Sequence, residues 1–355
     1  MSPKKKARIR QPHSKRGSIS LKELAEHLGL SPATVSVVIN RAAVAETICQ
    51  ETKDLIHSAA RKFNYRPNFF ARSLRTQRSM TIGVMVSEVS DGYATGVLSG
   101  IEDYLLQEGY FYFVASHRHR ADLIDEYPKL FLDRAVDGII AVDTPWRHKL
   151  RVPVVTVSGH NEAAGVINVF LDHQIAAELA LNHLVQLGHR QIAFIKGQTF
   201  SSDTEVRWNA ILDVSAKLRI SVSPKLTIQM EGYSASPQLG YEVTATLLKS
   251  HQPFTAIFAF NDISAMGAIR ALRESGLRVP EDVSVVGFDD IQSAAYQSPG
   301  LTTVRQPLRK MGTIAAETLL RIVRATSTRS KIKEVIVAPE LVVRGTTCAP
   351  KCANA

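Results

Sequence analysis

The 355-residue chain has few cysteines and no long apolar run, and each shortage excludes a class of protein. Its cysteines, Cys49, Cys348 and Cys352, are too few for a disulfide scaffold, and they form no second pair that would complete a zinc site. No stretch of about 18 uncharged apolar residues occurs, and no apolar segment follows the basic N-terminus, so we expect neither a membrane span nor a secretory signal. We therefore expect a protein of the reducing cytoplasm.

Signatures of catalysis are missing as well. The sequence contains no P-loop, no Gly-x-Ser-x-Gly and no His-Glu-x-x-His, and it shows no nucleophile and base at a catalytic spacing. We expect no enzyme activity, no cofactor and no metal.

Acidic residues are scarce only in the first 80 residues. The chain has a net charge of +10, and we count +11 in residues 1–80 against −1 in residues 81–355. This asymmetry is typical of a domain that contacts a polyanion such as DNA. Residues 1–17 hold seven basic residues and no acidic one, which predicts a disordered basic arm.

Residues 18–66 show the pattern of a helix-turn-helix domain. Ser20 and Glu23 have capping-box spacing, and Gly29 ends the first helix. Ser31-Pro32 starts a second helix that runs to about Asn40. A third helix, from about residue 50 to 63, supplies a predicted core: Leu55, Ile56, Ala59, Ala60 and Phe63.

Short apolar runs alternate with helical patterns over residues 80–345, which predicts an α/β core of doubly wound parallel sheets in two lobes. The runs are residues 82–86, 111–114, 138–142, 154–157, 192–195, 226–228, 256–260 and 283–286. Ligands of such sheets bind at the carboxyl ends of the strands, where this sequence places hydroxyl, amide, carboxylate and aromatic side chains. We expect residues 67–79 to form a hinge helix and linker, and residues 346–355 to form a mobile tail.

The order and spacing of these motifs resemble the LacI/GalR family of bacterial transcription regulators. The matching segments are residues 19–25 (ISLKELA), 31–36 (SPATVS), 65–68 (YRPN), 71–76 (ARSLRT), 261–262 (ND), 278–290 (RVPEDVSVVGFDD) and 301–307 (LTTVRQP). The resemblance covers about residues 18–345. It implies a helix-turn-helix domain with a hinge helix, joined to a two-lobed core of periplasmic-binding-protein type that closes around a ligand.

The resemblance also implies which residues contact DNA. The second helix enters the major groove, where Pro32, Ala33 and Val37 choose bases, while Ser31 caps the helix. The residues implied to hold phosphates or neighbouring bases are Thr34, Ser36 and Asn40. The residues implied for the hinge helix in the minor groove are Asn68, Ala71, Arg72 and Leu74. Leu74 matches a leucine wedge that bends DNA by unstacking a base step; the alternative is a linker residue that packs on its neighbours.

Two positions of the helix-turn-helix domain depart from the family. Most relatives carry a polar or basic residue, often Arg, where this chain has Val37, and an aliphatic side chain cannot donate the hydrogen bonds that read guanine. We expect either an operator that differs at this base or weaker specificity, with affinity carried by phosphate contacts. Cys49 replaces the usual Ser before the third helix, which predicts a weakened cap.

The effector residues implied by the resemblance are Tyr93, Ser158, Arg207, Asn261 and Asp289. Structural alternatives are open for three of them: Asp289 caps the next helix, Asn261 caps the helix at Ser264, and Arg207 forms a surface ion pair. The stretches around Tyr93 and Arg207 also differ from the usual family motifs.

The sequence therefore predicts a sequence-specific transcription regulator, which we expect to be a repressor. It acts in the cytoplasm at the nucleoid, as a homodimer on a near-palindromic double-stranded operator. A small-molecule effector, which we expect to be a sugar or sugar derivative, controls its operator affinity by allostery. The alternatives are a solute-binding protein of the same core fold, without regulatory role, and an enzyme on an α/β scaffold.

Overall fold

A computed structural model describes residues 19–40, 43–66, 78–90, 92–159, 165–233, 236–325 and 333–351. Contacts divide the chain into two units, with the boundary between Ser79 and Met80. The predicted basic arm and the predicted hinge residues Asn68, Ala71, Arg72 and Leu74 lie outside the described residues.

The first unit is a bundle of three short helices. They are α1 (Leu21–Leu28), α2 (Pro32–Ile39) and α3 (Gln50–Lys62), with a 3-10 turn at Ala43–Thr47. The predicted capping box is confirmed, since the Ser20 amide donates to the Glu23 carboxylate at 2.8 Å and the Glu23 amide donates to Ser20 Oγ at 3.2 Å. Gly29 ends α1 at a φ of 66°.

Six side chains form the centre of this bundle: Leu24, Ala25, Val35, Val38, Ile56 and Ala59. The expectation that Leu55 belongs to this core is wrong, because its side chain is 52% exposed. The inner face of α3 runs through Ile56 and Ala59, and a residue adjacent to Ile56 points about 100° away from that face.

The second unit is the α/β core. Its strands are β1 (Thr81–Val86), β2 (Phe111–Ser116), β3 (Gly138–Val142), β4 (Val154–Val157), β5 (Val166–Leu171), β6 (Ile192–Lys196), β7 (Thr227–Gln229), β8 (Ala256–Phe258), β9 (Ser284–Asp289), β10 (Thr302–Arg305), β11 (Glu334–Val337) and β12 (Glu340–Val342). Its helices are α4 (Gly92–Gln107), α5 (Ala121–Asp133), α6 (His173–Gln186), α7 (Asp203–Lys217), α8 (Pro237–Lys249), α9 (Asp262–Glu274), α10 (Gln292–Ala295) and α11 (Leu308–Arg324), with a 3-10 turn at Pro224–Leu226.

Each lobe is built on one six-stranded sheet. The first-lobe sheet has the order β11-β5-β4-β3-β1-β2, and its strand pairs are all parallel. The second-lobe sheet has the order β12-β10-β9-β8-β6-β7, and β12 is the one described strand of this sheet that is antiparallel to its neighbour. The predicted doubly wound architecture is confirmed.

The chain crosses between the lobes at three places in this topology. It leaves the first sheet after β5, returns after β10, and leaves again between β11 and β12. The residues that follow the first two crossing strands, Asp172-His173 and Gln306-Pro307, therefore lie where the lobes are joined.

Two helix pairs pack at close range because glycines lie in their interfaces. A Cβ atom at Gly312 in α11 would overlap the Val97 carbonyl of α4, and one at Gly267 in α9 would overlap the Pro237 carbonyl of α8. The side chain that any other residue adds would force these helices apart.

The prediction of a mobile tail from residue 346 is wrong for residues 346–351. Thr346 is fully buried; its hydroxyl accepts from the Thr302 amide at 2.8 Å and donates to the Val285 carbonyl at 2.7 Å. The Cys348 amide donates to Ser284 Oγ at 3.0 Å. The segment is held against β9 by hydrogen bonds that composition does not reveal. Residues 352–355, including Cys352, lie outside the described part of the chain.

None of the helices in the described segments is long and apolar enough to cross a membrane.

Candidate DNA-reading helix and effector cleft

The predicted DNA-contacting residues of α2 share one exposed side of the helix. Ser31, Pro32 and Ala33 are exposed, and Val37 lies one turn after Ala33 and is half-buried. Val35 and Val38 face the bundle core. The three predicted base-contacting side chains are therefore accessible and apolar.

Both ends of α2 are fixed by hydrogen bonds. Ser31 Oγ accepts from the Thr34 amide at 3.0 Å and lies 2.8 Å from the Thr34 hydroxyl. Asn40 Nδ2 donates to the Ser36 carbonyl at 2.7 Å and to Ser36 Oγ at 3.1 Å. Because these bonds fix both ends of α2, the side of the helix that is predicted to contact bases has a defined geometry.

Cys49 occupies the N-cap of α3 and makes no side-chain hydrogen bond to the helix backbone. Its thiol lies 3.1 Å from the Thr52 hydroxyl, and this contact lowers the pKa of the thiol. The helix lacks the cap that an oxygen side chain would provide.

Tyr93 lies at the start of α4 and is 7% exposed. Its hydroxyl donates to Ser158 Oγ at 2.7 Å. Ser158 follows β4, is fully buried, and has a φ of 52°, in the left-handed region. Burial, together with the negative charges of Asp203, Asp143 and Asp289, raises the pKa of Tyr93 well above its usual value.

Hydrogen bonds join the two lobes beside Tyr93. The hydroxyls of Ser201 and Ser202, just before α7 in the second lobe, lie 3.3 and 3.4 Å from Asp143 Oδ1 at the end of β3. Ser202 Oγ also donates to the Ser158 carbonyl. The carboxyl ends of both sheets therefore face the same cleft.

Arg207 on α7 is buried, with 4% exposure, so the alternative of a surface ion pair is wrong. Its Nη2 donates to Asp203 Oδ2 at 3.2 Å, and its Nη1 donates to the Phe260 carbonyl. The guanidinium carbon lies 3.7 Å from the centre of the Phe288 ring and 4.4 Å from that of Phe260.

Asp203 is a site residue that the sequence reasoning missed. Its other carboxylate oxygen lies 3.3 Å from His173 Nε2, so that His173, Asp203 and Arg207 form one buried cluster. The sequence feature that points to Asp203 is its position one helical turn before Arg207, because residues four apart in a helix lie on the same side.

Asp289 ends β9 with a φ of 109° and accepts from Gln306 Nε2 at 2.7 Å. It does not cap the following helix, whose N-cap is Ile291. Asn261 does cap α9, since its Oδ1 accepts from the Ser264 amide at 2.9 Å. The structure thus brings Tyr93, Ser158, Arg207 and Asp289 together, whereas the Asn261 side chain is turned to its own helix.

Aromatic rings of the two lobes lie close to one another. The His119 ring of the first lobe lies 3.8 Å from the Phe200 ring of the second, measured between centroids, and Phe200 stacks on Tyr233 at 5.5 Å. Behind them, burial and the neighbouring His119 lower the pKa of His117 to about 4, and its Nε2 lies 2.9 Å from the Thr144 hydroxyl. Within the described ranges, no group of three His, Cys, Asp or Glu side chains is placed to hold a metal ion.

Comparison with known proteins gives the same division of the chain. Residues 20–68 match the family model for bacterial regulatory proteins of the lacI family, and residues 181–347 match the model for a periplasmic binding protein-like domain. The HTH-type transcriptional repressor PurR of Haemophilus influenzae is 29% identical over 336 residues, which cover 92% of this chain and 97% of that protein. The PurR repressor of Aliivibrio fischeri is also 29% identical, over 333 residues.

Two solved structures agree over more than nine-tenths of this chain, and a third agrees over about three-quarters of it. The lac repressor dimer bound to operator and the anti-inducer ONPF has a TM-score of 0.79 at 27% identity, covering 94% of this chain and all of that one. The CelR–cellobiose complex has a TM-score of 0.67 at 25% identity, covering 92% and 99%. A LacI family regulator from Enterococcus faecium with bound ribose has a TM-score of 0.67 at 26% identity, covering 76% and 99%.

The PurR and lac repressors match this chain over both the helix-turn-helix unit and the two-lobed core, and they are transcription regulators rather than enzymes or free solute-binding proteins. The chain is therefore a transcriptional repressor with an effector-binding domain, and it belongs to the LacI family of bacterial regulatory proteins.

Proposed function

We propose that this chain is a sequence-specific repressor that binds a near-palindromic operator as a homodimer, and that a sugar or sugar derivative bound between the lobes controls its operator affinity. The observation that carries the effector proposal is the buried polar cluster around Tyr93, which contains residues from both lobes.

The DNA part of the proposal assigns base contacts to Pro32, Ala33 and Val37. Their exposure on α2, and the positive charge concentrated in the first 80 residues, support this assignment. We assign contacts with phosphates or neighbouring bases to Thr34, Ser36 and Asn40, a place at the DNA to the helix cap Ser31, and minor-groove contacts to Asn68, Ala71, Arg72 and Leu74. The domain boundaries proposed above follow from the same assignment: arm 1–17, reading domain 18–66, hinge 67–79 and core 80–345.

A dimer is supported by the relative that was solved as one and by an exposed apolar strand. Among the described strands, β2 is at the edge of the first sheet and pairs with β1 alone. Phe111, Phe113 and Val114 on this strand are 61%, 37% and 42% exposed, and nearby Leu106 is 62% exposed. A surface of this kind is typical of a protein–protein contact, and we assign it to a second copy of the chain.

A sugar suits the cleft because hydroxyl groups both donate and accept hydrogen bonds. The carboxylates of Asp143 and Asp289 accept, the Arg207 guanidinium donates, and the rings of Phe200 and Tyr233 offer apolar faces. Relatives have been solved with ribose, cellobiose and D-xylulofuranose bound.

The cleft also contacts the segments that join the lobes. Asp203 contacts His173, directly after the first crossing, and Asp289 contacts Gln306, directly after the second. A ligand that hydrogen-bonds to either carboxylate therefore changes contacts at a crossing segment. By linkage, a ligand that prefers one lobe arrangement shifts the population between the two, and operator affinity shifts with it.

The test is a selection of fragmented genomic DNA by the full-length protein at ~150 mM salt, where nonspecific attraction is partly screened. We expect enrichment of one near-palindrome and a change in enrichment when pooled sugars are added. Uniform recovery of fragments under all conditions would contradict the reading assignment. Enrichment that pooled sugars leave unchanged, but that another ligand class changes, would contradict the sugar assignment.

A further inference from the structure

We propose that Phe200 closes the effector cleft on the side remote from the lobe crossings and limits the effector to a compound of one sugar ring. A longer effector would have to displace the Phe200 side chain before the cleft could accommodate its second ring. The inference rests on the proposed effector function of the cleft and adds a limit on ligand size to it.

The two sides of the cleft differ in topology. The strands that carry the lobe crossings, β5 and β11 in the first sheet and β10 and β12 in the second, lie together at one end of each sheet. Strands β2 and β7 lie at the opposite ends. Lobes that are hinged at the crossings separate most on the β2–β7 side, because displacement grows with distance from the hinge. We call this side the mouth of the cleft.

A stack of three aromatic rings bridges the lobes at the mouth. His119 follows β2, Phe200 follows β6, and Tyr233 follows β7. The centroids of the His119 and Phe200 rings are 3.8 Å apart, and the Phe200 and Tyr233 rings lie 5.5 Å apart with an angle of 10° between their planes. Burial lowers the pKa of His119, so near neutral pH its ring stacks as an uncharged aromatic.

The backbone holds this stack from both lobes. The His119 amide donates to Nδ1 of the fully buried His117 at 3.1 Å. On the second lobe, the Gln198 carbonyl accepts from the Ser201 amide at 3.2 Å and from the Thr204 hydroxyl at 2.7 Å, which closes a turn around Phe200. A large effector therefore meets a side chain whose position is fixed.

Phe200 also lies directly beside the polar groups of the cleft. The next two residues, Ser201 and Ser202, reach the Asp143 carboxylate, and Ser202 Oγ donates to the Ser158 carbonyl. A sugar bound by these groups would thus have the Phe200 ring as its neighbour towards the mouth.

The distance along the second sheet limits the room for a ligand. Gln306 follows β10 and Phe200 follows β6, and these strands are three positions apart in the sheet, which corresponds to about 14 Å between strand axes. Side chains from both ends occupy part of this distance. What remains suits one sugar ring, whereas a second ring would extend into the aromatic stack.

The test is calorimetric titration of the full-length protein with three pairs of sugars: glucose and cellobiose, galactose and lactose, xylose and xylobiose. For a pair that binds, we expect the monosaccharide to bind at least about tenfold tighter, because the disaccharide must break the ring contacts of Phe200. Equal or tighter binding of the disaccharide overturns the inference and leaves the sugar proposal standing. If none of the six sugars binds while the operator is still selected, the sugar proposal fails and this inference fails with it.

Variants at one position identify Phe200 as the source of the preference. F200A should reduce the preference for the monosaccharide to below about threefold, whereas F200Y, which keeps the ring, should retain it. An unchanged preference in folded F200A overturns the role of Phe200. Equal loss of affinity for both sugars also overturns it, because Phe200 would then support the fold of the cleft and not limit ligand length. The ranking in the unmodified protein requires no variant, so it tests the size limit even if F200A fails to fold.

Discussion

Val37 gives α2 an aliphatic side chain at the position where the family resemblance implies a base contact. It is half-buried, one turn after the exposed Ala33. V37R places a guanidinium at this position, and we expect binding-site selection to enrich guanine at one base of each half-site. A good bidentate pair corresponds to about 1–3 kcal/mol of discrimination.

The matched control is V44R, because Val44 is 64% exposed and lies outside α2. The added charge there should strengthen binding to all sequences alike. Guanine enrichment in both variants, or in neither, would rule out Val37 as a base-reading position.

Cys49 provides the second residue-scale prediction, because it is an N-cap without a cap bond. In C49S the hydroxyl can accept from the Thr52 amide, and we expect α3 to be stabilised by about 1 kcal/mol. Hydrogen exchange of the first-turn amides should slow by about fivefold in C49S. It should be unchanged in C49A, which also lacks an oxygen acceptor; slower exchange in C49A would show that loss of the thiol, rather than gain of a cap, is responsible.

His117 makes the core sensitive to acid. Its pKa is about 4 in the folded chain against an ordinary 6.5, so the unfolded chain binds more protons between these values. The stabilisation is complete above pH 6.5 and is lost as pH falls toward 4, by about 3 kcal/mol at most.

Denaturant unfolding followed by tryptophan fluorescence measures this loss, since both tryptophans, Trp146 and Trp208, are in the core unit. In H117Q the pH dependence of the unfolding free energy should weaken by up to one proton, whereas H251Q, at an exposed site, should keep it. The same slope in H117Q as in the unmodified chain would contradict the assignment.

Single residues differ in how far the sequence could identify them. Ser20, Ser31 and Gly29 act on backbone within four residues of themselves, so local spacing is sufficient to predict their roles. Arg207 and Asp289 were identified by family resemblance, but their partners Asp203 and Gln306 depend on how helix and strand ends meet in space. No local sequence pattern predicts which helix ends and strand ends lie close together in the folded chain.

Among the elements, β2 differs most from its neighbours. β1 and β3 are buried along their whole length, whereas β2 is exposed at Phe111, Phe113 and Val114. If a second copy covers this strand, F113K should weaken dimerisation by at least about tenfold, because a charge then faces an apolar contact. Operator affinity should fall with it, since each copy contacts one half-site.

Sedimentation velocity measures the dimer directly. Y296K is the matched control, because Tyr296 is 80% exposed on the second lobe. Dimerisation that survives F113K, or that is lost equally in Y296K, would place the interface elsewhere.

The elements predicted from sequence are those with continuous apolar runs, such as 82–86 and 138–142. Strands β5, β10, β11 and β12 were not predicted because they carry polar or charged residues, among them Asn168, Thr302, Glu334 and Glu340. These strands join the lobes or extend the sheet edges, and their strand conformation depends on pairing partners distant in sequence.

At the scale of the whole molecule, the cleft and the lobe crossings share residues. Gln306 follows β10, where the chain returns to the first lobe; its Nε2 donates to the Asp289 carboxylate at 2.7 Å, and its backbone amide donates to the Asp289 carbonyl at 3.2 Å. A ligand that binds Asp289 therefore acts on a segment that must adjust when the lobes change their angle. Effector coupling of this kind is typically about 5- to 150-fold in affinity.

Gln306 can be tested as a link in this coupling with Q306L, which keeps the approximate volume and the backbone bond but has no side-chain donor for the Asp289 carboxylate. We expect the change in operator affinity at saturating effector to shrink to below about threefold, because the ligand no longer acts on the crossing segment. Affinity without effector should remain within about threefold of the unmodified protein, since the reading helix is untouched. Q191L, at an exposed position before β6, should keep full coupling. Operator titrations with and without the effector found by selection measure the coupling and the affinity without effector. Full coupling in Q306L would mean that the lobes respond to the ligand without the side-chain bond between Gln306 and Asp289.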